Sequence, residues 1–151
     1  MGAVSFKKLK DEIISCSVAD NWEDAILEWK DHYIFTNKIK CLCGHDIQEN
    51  CAIYNFKTKK VRVVGNVCIK KITGSDFCGI FRNYKKIKKN NQLSVNKEFL
   101  LYSIKNLIIN RWEYDFYKNI ILKKKLTQKQ KDCKVKINNK IIKYIERYKK
   151  V

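Results

Sequence analysis

Apolar residues recur at helical spacing near the start of the chain. Phe6, Leu9, Ile13 and Cys16 fall on one face, and Ser5 precedes them as a cap. A second set, Trp22, Ala25, Ile26, Trp29 and Tyr33, follows Asp20 and Asn21, either of which can cap it. Glu23 and Asp24 stand in its first turn, where the helix dipole favours carboxylates. The spacing therefore predicts two short helices within residues 1–33, with both tryptophans packed in a core. Over residues 34–72 the period changes. Cys51–Phe56 and Val61–Val67 are β-branched and aromatic runs on either side of the polar Lys57-Thr58-Lys59-Lys60, the pattern of a β-hairpin. A hairpin centred there pairs residues whose numbers sum to about 117, so Cys51 is expected opposite Asn66 and Cys68 just past the open end. Gly65-Asn66 suits a bulge or tight bend.

Residues 73–151 read as a helical part. Gly74-Ser75-Asp76 is a turn or cap, Phe77 to Tyr84 a short helix, and Lys85 to Asn91 a mobile basic loop. Asn96 or Ser94 starts a helix carrying Phe99, Leu100, Ile104, Leu107, Ile108 and Trp112, continuing towards Phe116 and Ile120. Thr127 with Gln130 forms a capping box, which satisfies free amides at both positions and starts a last helix. That helix is expected to bury Val135, Ile137, Ile141, Ile142, Ile145 and Tyr148. The fold expected is α+β in a single domain, 1–151: a β-hairpin module, 34–72, packed with N-terminal and C-terminal helices.

Composition adds a partner class. No apolar run approaches the ~20 residues needed to cross a bilayer, and charges interrupt the N-terminus, so an intracellular, non-secreted protein off the membrane is expected. The net charge is +18. Twenty-nine lysines against four arginines, with 20 isoleucines and no proline, is what an AT-rich genome writes into solvated positions. Uniform bias does not explain the distribution, because residues 1–50 carry a net −3 while 51–100 carry +10 and 101–151 carry +11. That asymmetry points to a polyanion, most simply nucleic acid. Around the hairpin the candidates are Lys57, Lys59, Lys60, Arg62, Lys70 and Lys71, which suit phosphate contacts without base reading. Tyr54 and Phe56 alternate with them and serve either as core or as stacking surfaces.

The cysteines supply the candidate chemistry. Cys41, Cys43, Cys51 and Cys68 converge at one end of the expected hairpin, and four thiolates make a closed tetrahedral zinc site. Such a site is structural, with no open coordination position. The Cys41/Cys43 pair is one residue shorter than the usual C-x-x-C knuckle, so His45 is an alternative to Cys43 or Cys51. Gly44 can take a positive φ and turn amides toward the sulfurs. Cys16, Cys78 and Cys133 read as small buried hydrophobes, Cys78 being an outlying ligand candidate. No phosphate loop, nucleophile elbow or H-E-x-x-H is present. Glu28, Asp46 and Glu49 have no spacing that demands a carboxylate site. No catalytic residue is assigned; a metal-dependent nuclease is the one enzymatic option retained.

The series Cys41-x-Cys43-Gly44-His45-x-Ile47, Cys51-x-Ile53-x-Asn55 and Val64-Gly65-Asn66-x-Cys68-Ile69-Lys70-Lys71 resembles small cysteine-motif proteins of large DNA viruses and some phages. Glu28-Trp29 and Leu126-Thr127-x-Lys129-Gln130 are similar to further elements of that group. The resemblance implies a viral protein with a zinc-ribbon-like module and no firmly assigned activity. Two departures are a hairpin turn without glycine and Ile72 where an aromatic is expected. The function expected is that of a non-enzymatic, zinc-binding, nucleic-acid-binding accessory protein in viral replication, transcription or packaging. The alternative is a protein-interaction adaptor or virion component that meets a protein partner through its acidic N-terminal helices.

Overall fold

The computed structural model describes residues 1–147 and divides them into two compact units, 1–76 and 77–147. The boundary falls four residues beyond the 72/73 junction expected from the sequence, and the N-terminal helices belong with the hairpin. The fold is α+β. Tyr148, expected on the last helix, lies outside the described residues.

The first unit opens with α1 (Ala3–Ser15), which buries Leu9 and Ile13 and is followed directly by the buried Cys16. The second helix is shorter than its periodicity suggests. α2 spans only Trp22–Ala25, capped by the Asn21 side chain accepting from Asp24 N–H, and tightens into a 3-10 turn at Ile26–Glu28. Trp29 and Tyr33 are then strand residues, in β1 (Trp29–Lys40). The apolar spacing over 22–33 fits a helix, but Tyr33, Ile34, Phe35 and Thr36 are strand formers, and pairing with a second strand outweighs local periodicity. That strand is β2 (Asp46–Asn55), followed by β3 (Val61–Val64). The sheet is antiparallel in the order β1-β2-β3.

The β2–β3 register also differs from expectation. Cys51 faces Val64, Ala52 faces Val63 and Tyr54 faces Val61, two residues away from the Cys51–Asn66 pairing. The turn explains the shift. Asn55 N–H donates to Lys60 O, Lys59 N–H to Asn55 O, and Lys59 takes φ 64° where a glycine is the usual choice. The chain leaves the sheet at Gly65 and enters α3 (Asn66–Ile72), so Cys68 lies in the first turn of a helix and not past a strand end.

A buried polar network ties these elements together. Glu28, 2% exposed, accepts from Val18 N–H (2.9 Å), Ala19 N–H (2.8 Å) and Asn55 Nδ2 (2.9 Å). Asn55 Oδ1 in turn accepts from Lys57 and Thr58 N–H, while Thr58 Oγ1 donates to Cys16 O. Burial alone raises the pKa of a carboxyl. Here the Asn55 amide, the two backbone N–H groups and the Lys57 charge outweigh it and hold Glu28 below its ordinary value.

The second unit is four helices: α4 (Cys78–Lys89), α5 (Lys97–Lys105), α6 (Arg111–Ile120) and α7 (Gln128–Glu146). The basic segment expected as a mobile loop continues α4 to Lys89, because Ile87 repeats the buried stripe of Ile80, Phe81 and Tyr84. The long helix expected through 96–120 is broken. Leu107 has φ 55°, and Asn110 starts α6 with a capping box to Glu113. Leu107 (87% exposed) falls in the break and Trp112 (64%) on α6, so the two do not share one helix with Phe99 and Leu100. The Thr127/Gln130 capping box is present at the start of α7, which buries Ile137, Ile141 and Ile145. At the centre, buried Tyr117 accepts from Val95 N–H and donates to Asn138 Oδ1, whose amide donates to Asn91 O and Leu93 O. Among the described residues no helix is long and apolar enough to cross a membrane.

Candidate metal centre

The Cys41-Leu42-Cys43-Gly44-His45 segment is the turn between β1 and β2, closed where Lys40 pairs with Asp46. Cys41 N–H donates to His45 O and Gly44 N–H to Cys41 O, both at 2.9 Å. Gly44 adopts φ 99°, the left-handed conformation that makes so tight a reversal accessible. A Cβ there would also come within 3.3 Å of Lys8 Nζ on α1. The turn delivers two sulfurs, and the first turn of α3 supplies a third.

Cys41, Cys43 and Cys68 are all buried, and their sulfurs lie within 4.8 Å of one another. The Cys41 and Cys68 sulfurs are 3.5 Å apart, and Gly65 N–H donates to Cys41 Sγ at 3.3 Å. The pair shares a proton unequally. The thiol of Cys68, then the N–H groups of Cys43 and Gly65, stabilise a thiolate on Cys41 and draw its pKa down to about 5 against the effect of burial. Cys68 is pushed upward by the same shared hydrogen bond and by its own burial. A thiophilic cation would take the place of the protons that these sulfurs share, since cysteine binds such ions as thiolate. Zinc held at ~2.3 Å from each of two sulfurs separates them by about 3.8 Å in a tetrahedron, so the observed spacing fits with small outward movement.

Cys51 is buried in mid-β2, paired with Ile34 on one side and Val64 on the other, and its sulfur lies 3.7 Å from Asn66 Oδ1, outside the close trio. His45 is exposed, with Nδ1 3.2 Å from Cys43 Sγ. Lys57, Lys59 and Lys60 occupy the β2–β3 turn, separated from Gly65 by β3, about 17 Å at the usual rise per strand residue. They sit at the far end of that strand from the sulfurs and do not ring them. Lys59 Nζ donates to Phe56 O, and Arg62 donates to Val61 O. Lys70 pairs with Asp76 at 3.4 Å, and Lys71 lies over the Phe6 ring, 4.7 Å from its centroid. Tyr54 is half-buried, with Lys30 and Lys59 near its face.

Charge is divided between the units in a way the thirds of the sequence only hinted at. Residues 1–76 carry twelve Lys and Arg against ten Asp and Glu; residues 77–147 carry nineteen against five. Three of those five carboxylates already pair with cations: Glu146 with Lys88, Glu113 with Lys140, and Asp115 with Arg111. Sequence reasoning missed the Glu28–Asn55 network, whose signal was two polar residues adjoining apolar runs. Comparison with protein-family models, with curated proteins and with solved structures gave no match.

Proposed function

We propose that the chain is a non-enzymatic nucleic-acid-binding protein. In this reading Cys41, Cys43 and Cys68 hold a structural zinc, and a basic helical unit contacts phosphates. The observation that carries the binding reading is the nineteen-to-five charge ratio of residues 77–147, since five carboxylates can neutralise at most five cations. Lysines on α4, on α7 and at 123–125 are mostly exposed and suit sequence-independent phosphate contacts. The buried cysteine trio supports zinc in a structural role: it joins the β1–β2 turn to α3 in a unit whose three-stranded sheet is small. The similarity of the Cys41–Lys71 series to proteins of large DNA viruses supports a task in replication, transcription or packaging of such a genome.

Fluorescence titration with single- and double-stranded DNA and RNA at rising salt tests the reading. Engagement of six phosphates gives a log–log salt slope of about −5 on duplex DNA, roughly a thousandfold loss from 50 to 200 mM. No binding at 50 mM overturns it. That outcome leaves the adaptor reading, which rests on the acidic excess of residues 1–50 and the exposed Leu27 on that segment.

A further inference from the structure

We infer that His45, and not Cys51, completes the metal centre, giving a site of three cysteines and one histidine: Cys41, Cys43, Cys68 and His45. This rests on the zinc reading above and specifies its fourth ligand.

Three observations converge. The first is distance. His45 Nδ1 is 3.2 Å from Cys43 Sγ, and two ligands at ~2.3 Å (sulfur) and ~2.0 Å (nitrogen) from one zinc stand about 3.6 Å apart in a tetrahedron. That edge, like the Cys41–Cys68 edge of 3.5 Å, is a few tenths of an ångström short of what a cation would set. Along these two edges the ion needs only a small expansion; His45, like Cys51, stands outside the trio of mutually close sulfurs, so its ring must also turn towards Cys41 and Cys68.

The second is freedom. The backbone of His45 is fixed, its carbonyl accepting from Cys41 N–H and its place set by the reversal at Gly44, while its ring is exposed and able to turn. Cys51 has the opposite character. It is fully buried, with its strand held in ladders on both sides and its sulfur against Asn66 Oδ1. Asn66 is itself tied to Glu49 by a 2.6 Å hydrogen bond, so the contact is braced.

The third is charge. Four thiolates on a divalent ion leave a net −2 at a buried point, whereas three thiolates and a neutral imidazole leave −1. One ammonium, that of Lys8, lies against Gly44. The three cysteines are buried and His45 is exposed, so a fourth ligand from His45 would complete a four-ligand set and leave no open position for substrate water.

Cobalt(II) titration of the full chain separates the possibilities, because ligand-field bands distinguish a tetrahedron of three sulfurs and one nitrogen from one of four sulfurs. Wild-type protein is expected to bind one cobalt ion with the mixed sulfur–nitrogen spectrum, displaced by zinc. His45→Ala is expected to weaken metal binding about a hundredfold or more, and His45→Cys to restore it with the all-sulfur spectrum. Cys51→Ala and Cys51→Ser are each expected to leave stoichiometry and spectrum unchanged. An all-sulfur spectrum in wild type, or loss of binding in both folded Cys51 variants with His45→Ala unaffected, overturns the assignment but keeps the zinc reading. Absence of any cobalt or zinc binding by wild type overturns the zinc reading and this assignment with it.

Discussion

At the scale of single residues, Glu28 and Lys59 make the hairpin what it is. Glu28 satisfies the backbone between α1 and α2 and holds Asn55, which in turn organises the turn after β2. Its folded pKa lies below its ordinary value of 4.5. The stabilisation is therefore fully present above the unfolded pKa and is lost as pH falls through the folded one. Melting temperatures measured from about pH 7 down to pH 3 are expected to fall steeply at the acid end for wild type. Glu28→Gln should melt lower at neutral pH and show a shallower acid limb; a parallel limb contradicts the linkage. Lys59 bears the turn's left-handed conformation, costing about 1 kcal/mol relative to glycine. Lys59→Gly is accordingly expected to raise stability by about 0.5–1 kcal/mol in chemical denaturation. Gly65 has the reverse constraint: a Cβ would stand 3.1 Å from Ile47 Cγ2, on a stiff β-branched side chain. Gly65→Ala should thus displace the N–H that serves Cys41 and weaken metal binding.

Among the secondary elements, local chemistry was readable and tertiary competition was not. The Thr127/Gln130 box, the positive φ of Gly44 and the stripes of α1 and α7 follow from neighbours in sequence. β1 was hidden because Trp22, Ala25, Ile26, Trp29 and Tyr33 satisfy a helical period until β2 offers a ladder. The two-residue register error arose at Lys59, because a lysine in a left-handed conformation leaves no mark in the sequence. Three of the four proposed ligands came out close together, since the Cys41–Cys43 turn is local. Cys51 faces Val64 where the hairpin pattern predicts Asn66, and its sulfur lies outside the close trio. The break between α5 and α6 did carry a sign, Asn110 three residues before Glu113, overridden by the apolar stripe running through it. Asn110→Ala is expected to destabilise residues 77–147 by about 1 kcal/mol, as loss of a helix cap does. Thr127→Ala should cost a similar amount, and hydrogen exchange localised to the amides of α6 and α7 would register each.

For the molecule as a whole, two units with different charge imply separable sensitivities. Chelation is expected to expose the amides of residues 1–76 to hydrogen exchange while those of 77–147 keep their protection, because all three clustered sulfurs lie in the first unit. Salt should act the other way, weakening polyanion binding through the second unit with little effect on metal content. Equal loss of protection in both units on chelation would contradict this division.

The thiol trio also has a topological consequence. Cys43 and Cys68 are 25 positions apart, and the whole β2–β3 hairpin lies between them. An ion bridging them would act on the unfolded chain as a covalent staple does, removing loop-closure entropy of about 3.5 kcal/mol for a loop of that length. The same logarithm makes the staple tolerant of length, since doubling the loop changes the closure term by only about 0.6 kcal/mol. Closure thus sets little limit on hairpin length; what holds the tip to its present sequence is the bonding of Asn55 and Thr58 to Glu28 and Cys16.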